Sequence, residues 1–323
     1  MSLRVLPALI LLLIAVVSAE AAGLSLDAVN SAQFSTGKSK GANATVLKAQ
    51  VLLDRARFSP GVIDAAGGEN FKKALTAFQD RNQVKATGRL DAPTWEKLNA
   101  NVTEPVLIEY ALKDADVKGP FVEKIPAKME EMKELKSLGY TSSVELLSEK
   151  FHVDEKLLKQ LNPGKQFREA GETIVVPNVE QRGERTRVSK IEVDKKRKVL
   201  RALNKDGELV AFYPASVGST EKPAPSGNYE VRAVAENPTY TYNPEYKFRG
   251  VKSEKPFEIA GGPNNPVGAV WIEISLKSYG IHGTPDPTKV SKSYSHGCVR
   301  LTNWDARDLG KLVSKGTRVE FID

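Results

Sequence analysis

At 323 residues, with 41% hydrophobic and 27% charged side chains, the chain has the balance of soluble globular protein and the length for more than one domain. Its formal net charge of +7 suits an anionic partner such as a cell wall, but no dense Lys/Arg run interleaved with aromatics occurs, which excludes a nucleic-acid binder. A single cysteine excludes an internal disulfide framework.

Residues 1–22 have the pattern of a secretory signal peptide. Arg4 and the amino terminus supply positive charge, and the apolar run Leu9 to Val17 is followed by the small-x-small site Ala19-Glu20-Ala21. An uncleaved anchor is the competing reading, but the run is shorter than the ~20 residues that span a bilayer. No cysteine stands near the cleavage site, so a lipid anchor is excluded. The protein is expected to be exported, to periplasm or cell wall, touching membrane only through this segment before cleavage. Residues 23–44 are small and polar and read as a linker.

Residues 45–99 read as a compact helical unit. Val46, Leu47, Ala49, Val51, Leu52 and Ala56 recur at helical spacing, as do Phe71, Ala74, Leu75 and Phe78, and Asp91 caps a third helix through Thr94, Trp95 and Leu98. The string Phe78-Gln79, Gly88, Asp91, Thr94-Trp95 and Leu98 resembles the peptidoglycan-binding type 1 module. Residues 100–138 read as a connector, with a strand candidate at Val106–Leu112 and a charged helix near Met129–Lys136.

Residues 139–178 read as a second small unit. Val144, Leu147, Phe151 and Val153 mark one helix and its exit, Asp154 caps another through Leu157, Leu158 and Leu161, and Thr173–Pro177 is a short strand. Leu161-Asn162-Pro163, Gly171-Glu172 and Ile174-Val175-Val176-Pro177 resemble a LysM domain, two helices beside a two-stranded sheet. The opening, Gly139 to Ser143, departs from that family's first strand and Gly-Asp-Thr turn. His152, next to Phe151, reads as a packing or surface residue. Residues 179–187 are charged and read as a hinge.

From residue 188 the pattern changes to short alternating segments, which predict β structure. Asn204-Lys205-Asp206-Gly207 is a hairpin turn, Trp271–Ser275 alternates before Gly280-Ile281-His282, and one helix over Leu309, Leu312 and Val313 is capped by Thr302 or Asn303. The helix follows Ser295-His296-Gly297-Cys298-Val299-Arg300. Two of the three histidines, His282 and His296, therefore fall near the only thiol, which is a nucleophile-and-base constellation.

A free thiol is only a few per cent thiolate at pH 7, so an imidazole must take or pair with its proton. His282 comes from a separate segment and can be aimed at the sulfur, which makes it the expected base, with His296 in support. In an extended segment Arg300 lies roughly 7 Å along the strand from Cys298, on the same face. Gly297 lets the backbone approach a substrate, and N–H groups around Gly297 and Cys298 are candidates for an oxyanion hole. One Cys and two His are also ligand types for zinc, but no fourth ligand stands nearby in sequence.

Ile281-His282-Gly283-Thr284 followed by Ser295-His296-Gly297-Cys298-Val299-Arg300 resembles the catalytic signature of the L,D-transpeptidases, the YkuD-like family. Val217-Gly218, Pro225-Ser226-Gly227 and Gly262–Gly268 agree with it over residues 188–323. The resemblance implies a β-sandwich-like catalytic domain, Cys298 as nucleophile, His282 as base, the Gly283 carbonyl orienting it, and Arg300 holding the site or substrate. It implies no cofactor or metal. Peptidoglycan is the implied partner, through its tetrapeptide stems and glycan strands. Cys298 would release D-alanine, and an amine of a stem peptide or of a surface protein would take the acyl group. An L,D-carboxypeptidase that uses water instead, and a non-catalytic wall-binding protein, are the alternatives. Ala260–Ala269 is expected to wall the acceptor groove, with Tyr240 and Tyr242 as contacts. Residues 45–178 are expected to deliver the enzyme to the wall without a part in its chemistry.

Overall fold

The computed structural model describes residues 24–34, 42–181, 186–218, 223–246, 250–293 and 297–323. The expected signal segment, and His296 with Ser295, lie outside the described residues. Among the described residues no helix is long and apolar enough to cross a membrane.

Helical spacing and capping produce the first unit. It consists of α1 (Leu26–Asn30), α2 (Ala44–Arg55), α3 (Glu69–Arg81) and α4 (Ala92–Asn99). The Asn43 side chain caps α2 by accepting from the N–H groups of Thr45 and Val46, and Asp91 caps α4 by accepting from Thr94. Leu47, Val51, Phe71, Leu75, Phe78, Trp95 and Leu98 fill the core. Buried Gln79 ties α3 to α4, its Nε2 donating to Thr94 Oγ1 at 2.8 Å and its Oε1 accepting from Gly88 N–H at 2.9 Å.

A middle unit follows. β1 (Leu107–Ala111) pairs antiparallel with β2 (Thr173–Pro177), from Leu107↔Pro177 to Ala111↔Thr173. Between them lie α5 (Asp114–Lys118), α6 (Met129–Met132), α7 (Ser143–Lys150) and α8 (Glu155–Leu161). The two helices α7 and α8 thus do stand beside a two-stranded sheet, but its first strand comes from the stretch read as connector and not from Gly139–Ser143. The segment carrying α5 and α6 separates that strand from its helices. A strand's own alternation gives its period but not its partner, so an insertion of this size hides the pairing.

The last unit is mostly sheet. Its strands are β3 (Lys190–Asp194), β4 (Val199–Leu203), β5 (Leu209–Pro214), β6 (Ser216–Val217), β7 (Gly227–Glu236), β8 (Tyr240–Tyr242), β9 (Phe257–Ile259), β10 (Val270–Ile274), β11 (Gly280–His282), β12 (Val299–Arg300) and β13 (Arg318–Ile322), with α9 (Asn303–Leu312) before the last. Nine of them run in the order β5-β4-β3-β13-β7-β10-β11-β12-β6, and β8 and β9 form a separate ribbon. The long strand β7 pairs with β13 over Gly227–Glu230 and with β10 over Val231–Glu236, so it joins two halves of the sheet. Ile191, Leu200 and Tyr213 from one half share a core with Ile272, Ile281 and Val299 from the other and with Leu309 of α9. This is the expected sandwich-like arrangement.

The units are bonded to one another. Phe212 of edge strand β5 donates its N–H to Arg57 O at 2.8 Å and accepts from Ser59 N–H at 2.9 Å, so the segment after α2 closes that edge. Ser59 Oγ bonds Asp305 of α9 at 3.0 Å, and Ile63 and His152 join first and middle units through a backbone bond of 2.9 Å.

Candidate active site

The central strands carry the residues the sequence singles out. β11 and β12 are parallel, with Ile281 opposite Val299 and His282 opposite Arg300. Ile281 and Val299 lie in the core, so alternation puts His282 and Arg300 on the other face, together with Gly280 and Cys298. Cys298 immediately precedes β12 and feels the charge of Arg300, the residue that pairs with His282. The structure therefore brings together Cys298, His282, Gly283, Gly297 and Arg300.

His282 is 4% exposed, and its Nδ1 lies 2.6 Å from Gly283 O. A carbonyl only accepts, so Nδ1 carries the proton and Nε2 is left with its lone pair. Burial, and next the Arg300 charge, push the imidazole down to about 3, against the opposing pull of the Gly283 and Val267 carbonyls. The ring stacks on Trp271 of β10, with centroids 5.7 Å apart at 23°.

Cys298 is half-buried, and its Sγ lies 3.9 Å from Ser278 O. Burial pushes the thiol above the ordinary cysteine range, while the Gly280 backbone and the Arg300 charge pull it down. Thiol and imidazole are thus both neutral at rest. Arg300 is itself lowered, chiefly by burial, and its Nε has no hydrogen-bond partner among the described residues. Gly297 has φ +106°, and a Cβ there would stand 2.9 Å from the Tyr279 ring, so conformation and space both require glycine.

Trp271 is a component that sequence reasoning reads only as a strand residue. Its indole fills the space over Gly280, where a Cβ would come within 2.5 Å of the ring, and so floors the site between His282 and Gly280. Register was the missing signal, since Trp271 pairs with His282 across β10 and β11. Glu273, two residues on and exposed, pairs with Gly280 on the same face. Tyr242 is not a presented contact. It is buried, with its ring packed on Phe257 at 4.8 Å, and Tyr240 is paired in the same ribbon. Among the described residues no group of three or more His, Cys, Asp and Glu side chains is placed to hold a metal ion.

The thiol thus stands just before β12 and the buried imidazole on β11, its parallel neighbour. The family model for the L,D-transpeptidase catalytic domain matches residues 189–321, and that described as "Putative peptidoglycan binding domain" matches 42–98. The chain is 30% identical over 181 residues to "Putative L,D-transpeptidase YkuD" of Bacillus licheniformis, covering 55% of this chain and 93% of that one. It is 31% identical over 170 residues to the Bacillus subtilis protein of the same name, covering 52% and 87%. With "Probable L,D-transpeptidase YbiS" of Escherichia coli K12 it shares 33% over 123 residues, 37% of this chain and 40% of that one. Among solved structures it is similar to L,D-transpeptidase 3 from Mycobacterium tuberculosis, with 15% identity, 48% of this chain and 76% of that one covered, and a TM-score of 0.35. The chain belongs to the L,D-transpeptidase (YkuD) family, and it carries a peptidoglycan-binding helical module ahead of the catalytic domain.

Proposed function

We propose that the protein is an exported, cysteine-dependent peptidoglycan L,D-transpeptidase. Cys298 attacks the carbonyl of the third residue of a tetrapeptide stem, the bond to D-alanine breaks, and the stem is held as a thioester. The observation that carries this reading is the placement of His282, its Nδ1 held by the Gly283 carbonyl, on the strand beside the one that Cys298 leads into. Because burial holds the thiol above its ordinary range and the imidazole near 3, no thiolate–imidazolium pair is stored before substrate arrives. His282 acts as a general base in the attacking step, taking the thiol proton as the bond forms and giving it to the leaving D-alanine amine.

The Gly283 carbonyl stabilises the imidazolium that forms in passing. Backbone N–H groups at Gly297 and Cys298 are suited to the developing oxyanion, and Arg300 supplies the positive potential on that face. His296 is assigned a supporting part. An amine then attacks the thioester. It competes with water at ~55 M and wins when bound and oriented, since well-placed groups reach effective molarities of ~10⁵ M or more. The exposed carboxylate of Glu273, across Gly280 from the thiol, favours the approach of a cationic amine. The middle unit, with its two helices and paired strands, is read as a LysM-like glycan-binding module.

The test is incubation with a purified tetrapeptide muropeptide and mass spectrometry of the products. Released D-alanine with dimers joined between third residues supports transpeptidation. Tripeptide alone, even at high acceptor concentration, moves the assignment to carboxypeptidase. The Cys298→Ala protein is expected to release no D-alanine, and if it does, the thiol is not the nucleophile.

A further inference from the structure

Asn303 opens α9, yet Thr302 is the residue that caps the helix, its hydroxyl accepting from Asp305 N–H at 3.1 Å. The Asn303 side chain, fully buried, is left for other contacts. Its Oδ1 accepts from Ala269 N–H at 2.9 Å, and its Nδ2 donates to Glu149 Oε2 at 2.7 Å and to Pro263 O at 3.1 Å. Gly268 and Gly283 close on the same oxygen, where a Cβ on either would come within 2.2 and 2.1 Å of it. Gly283 supplies the carbonyl bonded to His282 Nδ1, and Val267, next to Gly268, supplies the other carbonyl that acts on the ring. One amide therefore pins both segments that hold the imidazole.

Glu149 belongs to α7 of the middle unit, not to the catalytic domain. Its other oxygen, Oε1, accepts from Tyr140 Oη at 2.7 Å and from Arg307 at 2.8 Å. An ionised carboxylate only accepts, so it forces the Asn303 NH₂ toward itself and the Asn303 carbonyl oxygen toward Ala269. With the Ala269 N–H and the Pro263 carbonyl it holds the amide in that orientation, and it supplies the shortest of the three bonds.

We propose that Glu149 is a positioning residue for the catalytic histidine. It acts through Asn303 to fix the Gly283 and Val267 carbonyls, which makes the middle unit part of the catalytic apparatus. The inference rests on the roles proposed for Cys298 and His282. A loosened Gly283 carbonyl no longer selects the tautomer with its lone pair on Nε2, and misplacement of ~1 Å costs about 100-fold in rate.

The experiment uses the full chain and two readouts. The first is turnover on tetrapeptide muropeptide. The second is the rate of iodoacetamide alkylation of Cys298 from pH 5 to 10, clean because the chain has one cysteine. Glu149→Ala is expected to lower kcat roughly 10- to 100-fold with KM little changed and to shift the alkylation profile. Tyr140→Phe, which removes a Glu149 bond but leaves the relay, should behave as wild type. Asn303→Asp keeps the side-chain shape, and its kcat is taken per folded molecule because the exchange puts an acceptor where Nδ2 donated. Its carboxylate faces that of Glu149, so its activity relative to wild type should recover as pH falls and the pair shares a proton. Wild-type kcat and profile in Glu149→Ala, a rise in KM alone, or no acid recovery in Asn303→Asp would overturn the inference. If wild type itself releases no D-alanine, the functional reading fails, and the alkylation profile still decides whether Glu149 acts on the site.

Discussion

His282 and His152 make an instructive pair. Each stacks on a tryptophan, His282 on Trp271 at 5.7 Å and His152 on Trp304 at 5.1 Å, and each offers Nδ1 to a buried oxygen. For His282 that oxygen is the carbonyl of Gly283, while for His152 it is a carboxylate oxygen of Asp54, 3.0 Å away and on a residue only 3% exposed. A carbonyl orients an imidazole and leaves it neutral and reactive. The Asp54 contact ties the other ring to α2, and its stacking on Trp304 ties it to α9, so that ring serves the packing of three units, α2, the turn after α7, and α9. The oxygen on Nδ1 therefore distinguishes the two histidines where stacking does not.

The contrast breaks first in turnover. His282→Ala should lose about 10²–10⁴-fold in D-alanine release, as expected for a general base, whereas His152→Ala should stay within a few-fold. Equal losses would end the assignment. The second effect is on stability against pH. Folded His282 titrates near 3 and its unfolded counterpart near 6.5, so below pH 6.5 the unfolded chain takes a proton that the folded one refuses. The His282 contribution is thus fully present above pH 6.5 and lost as pH falls toward 3, by up to about 1.4 kcal/mol per pH unit. Urea titrations of wild type and His282→Gln between pH 7 and 4 should show the gap in slope. The smallest effect is His152→Ala, which strands the Asp54 carboxylate and should cost about 1–3 kcal/mol in the same titration with turnover per folded molecule unchanged.

The candidate thiol and histidine are legible because they stand in local strings, Gly280-Ile281-His282-Gly283 and His296-Gly297-Cys298-Val299-Arg300. The helices of the first unit were legible too, since their spacing and the Asp91 cap are local signals. Trp271, Asn303 and Glu149 were not, because each enters the site through register or through a contact between units. Val106–Leu112 reads as a strand, but its partner lies beyond an insertion. Asn303 reads only as a candidate cap, a role that Thr302 fills, which leaves the Asn303 side chain to Ala269 and Glu149. Residues 45–178, expected only to deliver the enzyme to the wall, also bond α9 of the catalytic domain through Ser59 and Glu149, contacts that no local string announces.

The closure of β5 by residues 57–59 bears on the order in which the molecule is assembled. A chain made from its amino terminus produces the guard before the edge it covers, so the sheet is never completed with that strand open. A protein trimmed to residues 188–323 reverses this, leaving the Phe212 N–H and C=O facing solvent as a template for another copy. Its expected failing is self-association through strand pairing, visible in sedimentation as mass that grows with concentration. Adding the segment back as part of residues 42–98 in trans should return the trimmed protein to a single species.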